Sequence, residues 1–169
     1  MARHIVPDNL VDPELLPIWR ELNSSVFNGS LNEPVSLCYK YDLHKMGGLC
    51  QYISYSSDDV RIAIRGQLKG AANEIRQIMA HEMTHQFCWK EWRRMNSSFK
   101  SNYKNFVTDN SIFFKYWLTW VAAKLGTTYS DLASYDTKYV DTENNQLSQP
   151  AYEAIQSARS ALDLFDEVE

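Results

Sequence analysis

The run His81-Glu82-Met83-Thr84-His85-Gln86 constrains this chain more than any other segment, because its chemistry is coherent only on a helix. Residues four apart on an α-helix lie on one face, so both imidazoles can reach one ion. Glu82, rotated by about 100 degrees from His81, misses that ion's first shell and stays available as a base. This is the HExxH arrangement used by zinc peptidases. From Ala71 to Phe87 there is no Pro or Gly, and Ala71, Ile75, Ile78, Met79 and Met83 recur at threes and fours, the period of a half-buried helix. His81 and His85 fall at the edge of that apolar arc. The competing interpretation is a pair of ordinary hydrogen-bonded histidines. The helix, the edge placement and the adjoining carboxylate all weigh against it.

The rest of the chain sets bounds on what such a helix can serve. Its 169 residues fit one domain, and 44% hydrophobic with 13% aromatic residues is enough for a real core. A net charge of -4 and a pI near 5.6 speak against a dedicated nucleic-acid binder. Residues 126 to 169 hold nine acids against Lys138 and Arg159, whereas Lys90, Arg93, Arg94, Lys100 and Lys104 face only Glu91 between 89 and 104. Cys38, Cys50 and Cys88 are odd in number and lack C-x-x-C spacing, so each is expected to pack rather than pair or bind metal. The N-terminal residues lack a signal-peptide core, and no run approaches the length of a membrane span. The expected location is therefore cytoplasmic, with no membrane partner.

Along the chain, Asp12-Pro13-Glu14 reads as a helix start, Leu15, Ile18, Trp19, Leu22 and Val26 as its apolar stripe, and Asn28-Gly29 as its end. Strands are expected at Val35–Tyr39, about Leu49–Tyr55 and Val60–Arg65, the last alternating Val60, Ile62 and Ile64 with Arg61 and Arg65. After the motif helix come a less regular helical stretch from Trp89 to Phe106 and an aromatic helix from Ser111 to Leu125. A polar turn-rich segment from Thr127 to Ser148 leads to a last amphipathic helix, Pro150 to Phe165. The expected class is α+β, one domain over residues 1–169, with an N-terminal helix, a small three-stranded sheet, the HExxH helix and further C-terminal helices.

Four segments in this order resemble the SprT-like family of zinc metallopeptidases, which includes the Spartan protease. Trp19-Arg20-Glu21-Leu22-Asn23 with Val26-Phe27-Asn28-Gly29-Ser30-Leu31 is similar to the family's opening helix and its N-x-x-x-F-x-G-x-L ending. Gly48-Leu49-Cys50-Gln51-Tyr52 resembles its glycine-led second strand, Val60–Ile64 its third, and Ile78–Phe87 its motif helix. The resemblance spans about residues 14–126, leaving 127–169 as a C-terminal extension, and implies a zincin-like fold. In one respect the chain departs. The family takes its third zinc ligand from a histidine in a downstream H-G-x-x-F segment, and no histidine follows His85 here.

A catalytic zinc needs three protein ligands and a water, so the third must be found. Asp109 opens Asp109-Asn110-Ser111-Ile112-Phe113, which aligns with H-G-x-x-F, and the resemblance makes it the chosen ligand beside His81 and His85. Asp109 is also a candidate N-cap for the helix that follows. Glu91 sits at the ligand position of the longer H-E-x-x-H-x-x-G-x-x-H pattern, but Cys88 replaces the glycine, so the helix is expected to run on and turn Glu91 away. His44, in the loop between the first two strands, and His4 are the remaining histidines.

The expected activity is hydrolysis of a protein or peptide by zinc-activated water, with Glu82 as general base. An Asp ligand, more negative than His, is expected to make the metal a weaker Lewis acid and the enzyme a modest one. The alternative is a catalytically weak or inactive relative acting as a binding or structural protein. Trp89, Trp92 and Tyr103 among the cations of 89–104 raise a nucleic-acid surface as a third reading, against which stands a solvated amphipathic helix with aromatic anchors. The solvated helix is preferred.

Overall fold

The computed structural model describes residues 6–43, 46–95 and 103–133. Within them the chain is α+β. Helix α1 (Leu16–Ser25) is followed by strands β1 (Ser36–Lys40), β2 (Gly48–Tyr52) and β3 (Val60–Arg65). A short turn at Gly66–Leu68 then leads to the long helix α2 (Ala72–Arg94), and α3 (Lys104–Val107), α4 (Ile112–Lys124) and α5 (Tyr129–Ala133) complete the described residues. The expected C-terminal helix at 150–165 lies outside them.

Helix α1 begins later than Asp12-Pro13 suggests. Asp12 instead closes a turn, its Oδ1 accepting from Glu14 N at 2.8 Å and its carbonyl from Leu16 N at 3.1 Å, and Pro17 occupies the first helical turn. At the other end the Asn23 amide clamps the returning loop from both sides, donating to Leu31 O and accepting from Leu31 N, each at 3.1 Å. Gly29, at φ 69, makes the left-handed reversal that this clamp needs. The N-x-x-x-F-x-G-x-L pattern is thus a helix end and its backbone latch, with Phe27 and Leu31 buried.

The sheet has the order β1-β3-β2. β3 pairs with β1 in parallel, Ser36 opposite Arg61 through Lys40 opposite Arg65, and with β2 antiparallel, Gly48 opposite Ile64 through Tyr52 opposite Val60. Its central place explains its composition, since Val60, Ile62, Ala63 and Ile64 are all buried. The alternation expected for one covered face breaks at Ala63, because Val6, Leu43 and Cys38 form a second small cluster on the back of the sheet. β2 is shorter than expected and lies at the sheet's edge. Arg65 N donates to Gly47 O at 2.8 Å, so 49/63 and 51/61 are the hydrogen-bonded pairs. The N–H and C=O groups of Gly48, Cys50 and Tyr52 therefore point away from β3.

Helix α2 crosses the front of the sheet and is the axis of the main core. Ile75, Ile78, Met79, Ala80 and Met83 are buried among Leu22, Ile62, Ile64, Val107, Phe114, Leu118 and Leu132. It runs unbroken through Cys88 to Arg94, as the absence of a glycine requires. Buried Gln86 ties it to α1 and the loop beyond, accepting from Trp19 Nε1 at 3.2 Å and donating to Asn32 O at 2.7 Å. Among the described residues no helix is long and apolar enough to cross a membrane.

Candidate metal centre

His81 and His85 leave α2 on one face, one turn apart, with ring centroids 5.1 Å apart. Each ring is held by a backbone carbonyl on its Nδ1 side, Leu132 O at 2.9 Å for His81 and Val107 O at 2.5 Å for His85. A carbonyl only accepts, so each Nδ1 must carry the hydrogen, and in a neutral imidazole this leaves Nε2 as a bare lone pair. Both Nε2 atoms face the same oxygen, Asp109 Oδ1, at 3.0 Å each. Two lone pairs and a carboxylate oxygen converging in this way repel one another unless a cation or protons sit among them. The arrangement is that of metal-binding histidines whose second nitrogen is oriented by an outer partner.

The ligand atoms of His81, His85 and Asp109 lie within 4.8 Å of one another, and this cluster could hold a metal ion. A tetrahedral ion with bonds of about 2.0–2.1 Å separates its ligands by about 3.3 Å, close to the 3.0 Å between Asp109 Oδ1 and each Nε2. The donor set of two imidazoles and one carboxylate leaves a fourth position open. Asp109's side chain is 63% exposed, so that position is reachable from solvent, while both imidazoles are largely covered. Burial pushes the Asp109 carboxyl up, but when protons occupy the two Nε2 atoms, hydrogen bonds and charge from His81 and His85 outweigh it and hold the group well below the usual carboxylate range.

Asp109 does not cap α4. Ser111 does, its Oγ accepting from Phe114 N at 3.0 Å, and Asp109 stands two residues earlier in the turn closed by Ser111 N to Thr108 O at 2.9 Å. Its carboxylate is therefore free of the cap and directed at the two rings. Glu91 lies about 240 degrees of helix rotation from His85 and pairs with Arg94 at 3.2 Å, away from the cluster. His44 and His4 fall outside the described residues.

Several contributors carry no motif. Phe114, buried, lies under both rings, stacked on His85 at 4.0 Å and edge-on to His81 at 5.3 Å. The carbonyls of Leu132 and Val107 leave no trace in side-chain identity. Tyr129, one turn before Leu132 on α5, is buried, and burial together with the Asp109 charge pushes its hydroxyl up to about 12. In the sequence, the apolar, aromatic run of 111–125 is the signal that α4 packs inward.

Glu82 is buried, its Cγ against Gly48 of the edge strand. Cys38, Cys50 and Cys88 are all free, and burial pushes each thiol up, which suits packing rather than reactivity. Compared with models of known protein families, with curated proteins and with solved structures, the chain matches none.

Proposed function

We propose that this chain is a zinc-dependent peptidase of the SprT-like, zincin-like kind, hydrolysing peptide bonds of a protein or peptide substrate. The observation that supports it most is the pairing of preset Nε2 lone pairs on His81 and His85 with the exposed Asp109 carboxylate. Zinc held there would acidify a bound water and polarise a carbonyl. Glu82, one residue after His81 and turned out of the ligand set, accepts the attacking water's proton and hands it to the leaving amine.

The edge strand supports a peptide as substrate. β2 turns the backbone groups of Gly48, Cys50 and Tyr52 outward beside Glu82, and an extended peptide can pair with them antiparallel. A carboxylate in place of the family's third histidine raises electron density on the metal and makes the enzyme a modest one.

The test is metal content together with cleavage of an unfolded protein substrate. The expected result is about one zinc per chain, with Glu82→Gln retaining zinc and fold but losing about 10²–10⁴-fold in kcat. Equal cleavage by Glu82→Gln would sink the reading. Zinc binding without any cleavage would leave a binding protein.

A further inference from the structure

The position of Glu82 depends on a residue that carries no chemistry. A Cβ added to Gly48 would stand 2.7 Å from Ile78 Cγ2, 2.9 Å from Glu82 Cγ and 3.0 Å from Ala63 O. Real Cβ atoms do not tolerate the first two contacts, and the third is with backbone of the central strand, which cannot move cheaply. Nothing about the Gly48 backbone itself calls for glycine, since its φ lies outside the left-handed region. Space is what this site requires. Gly48 heads the edge strand, its own N–H and C=O directed outward, so the strand's open edge and the Glu82 side chain meet at this one residue.

We infer that Gly48 is a positioning residue: its missing side chain lets Glu82 lie flush against the edge strand, setting the carboxylate's reach to the attacking water. The inference rests on the reading of Glu82 as general base. A methyl at position 48 displaces the Glu82 side chain away from β2, while the rings of His81 and His85 on the same helix stay held by the carbonyls of Leu132 and Val107, and Asp109 stands in the turn before α4. Loss of alignment of about 1 Å at a proton-transferring group costs about 10²-fold in rate. The effect falls on kcat rather than on substrate affinity.

The experiment separates Glu82 from mere packing. Gly48→Ala meets both Ile78 and Glu82, whereas Gly48→Ala combined with Ile78→Leu removes the Cγ2 contact at nearly constant volume and leaves the Glu82 contact. Gly48→Ala is expected to lower Tm. The double variant is expected to recover most of that Tm while kcat stays about 10²-fold down, with KM and zinc affinity close to wild type. Recovery of kcat together with Tm would overturn the inference, as would failure of both variants to fold, which would make the glycine a packing residue only.

A second readout needs no substrate. The visible absorption of the cobalt(II)-loaded protein, titrated with pH, is expected to shift in the double variant toward the midpoint of Glu82→Gln. A wild-type midpoint in the double variant would refute a role through Glu82. A chain that cleaves no peptide yet shows this shift loses the peptidase reading and keeps the role of Gly48.

Discussion

Helix α2 carries two polar and aromatic stretches, His81–His85 and Trp89–Arg94, which look equally functional on paper and are used in opposite ways. In the first, polar side chains are buried without being consumed. Nδ1 of each histidine is satisfied by a carbonyl, and Nε2 is left to meet Asp109. In the second, the polar groups are spent on the protein itself. Trp89 is buried, stacks on Tyr52 at 4.3 Å and donates from Nε1 to Ser57 O at 2.9 Å. Arg93 pairs with Asp58 and donates from Nε to Tyr55 O at 3.1 Å, Lys90 donates to Ser30 O, and Arg94 takes Glu91. Trp89 and Arg93 thus clamp the β2–β3 turn to α2. The two stretches differ in where the fold directs their polar groups: the histidine Nε2 atoms converge on one carboxylate, whereas those of the second stretch bind neighbouring backbone and acids.

Substitutions in the two stretches are expected to separate metal binding from stability. The largest effect belongs to the first: His81→Ala with His85→Ala is expected to abolish zinc uptake, measured by metal analysis after dialysis, and full occupancy would refute the site. Trp89→Ala should do the reverse, lowering stability by about 3–5 kcal/mol in denaturant melts with zinc affinity unchanged in the folded protein. A lost metal site in folded Trp89→Ala would mean that the two stretches are coupled.

Around Asp109 the contrast narrows to two neighbours. Asp109→Ala is expected to weaken zinc more than an outer-shell change would, beyond about 10–100-fold, and Asp109→His to restore it. Ser111→Ala, which removes the observed cap, should cost about 1 kcal/mol and leave zinc nearly untouched. Competition with a chromophoric chelator and a thermal melt on the same samples read both, and zinc affinity that stays flat at 109 would exclude it as a ligand.

The smallest effect concerns Tyr129. Its hydroxyl is raised to about 12, by burial first and the Asp109 charge second. A raised folded value favours the protonated form, so the associated stability is complete below the ordinary tyrosine range near 10 and is lost as pH rises toward 12. Labelled-tyrosine NMR should find this ring titrating lower in Asp109→Asn than in the wild type, without reaching the ordinary value. No movement in that variant would remove Asp109 from its surroundings.

Much of this was legible before any coordinates. Local periodicity announces α2 and β3, because a helix or strand that buries one face must repeat apolar residues at its own period, while α4 shows as a long apolar, aromatic run. The same regularity put His81 and His85 on one face and Glu82 off it, and the missing glycine at Cys88 foretold that α2 runs on. The start of α1 is not legible in Asp12 and Pro13, which serve a turn as readily as a helix; which one forms depends on where Leu15 is buried. The cap of α4 went to Ser111 rather than Asp109 for a similar reason: both can accept a backbone N–H, and the fold aimed only one of them at Phe114 N.

What the tertiary structure alone decided is everything that acts across long sequence separation. Asp109 meets His81 and His85 across 28 and 24 residues, and the carbonyl that fixes the His81 ring comes from 51 residues away. Backbone carbonyls carry no side-chain signature, so no pattern of residue types could have named Leu132 or Val107. The space that Gly48 leaves for Glu82 is likewise a property of how β2 and α2 are pressed together. The sequence by itself determined which groups could bind a metal and move a proton. Packing decided where their atoms converge, because short-range periodicity orients a side chain on its own element but cannot say what stands opposite.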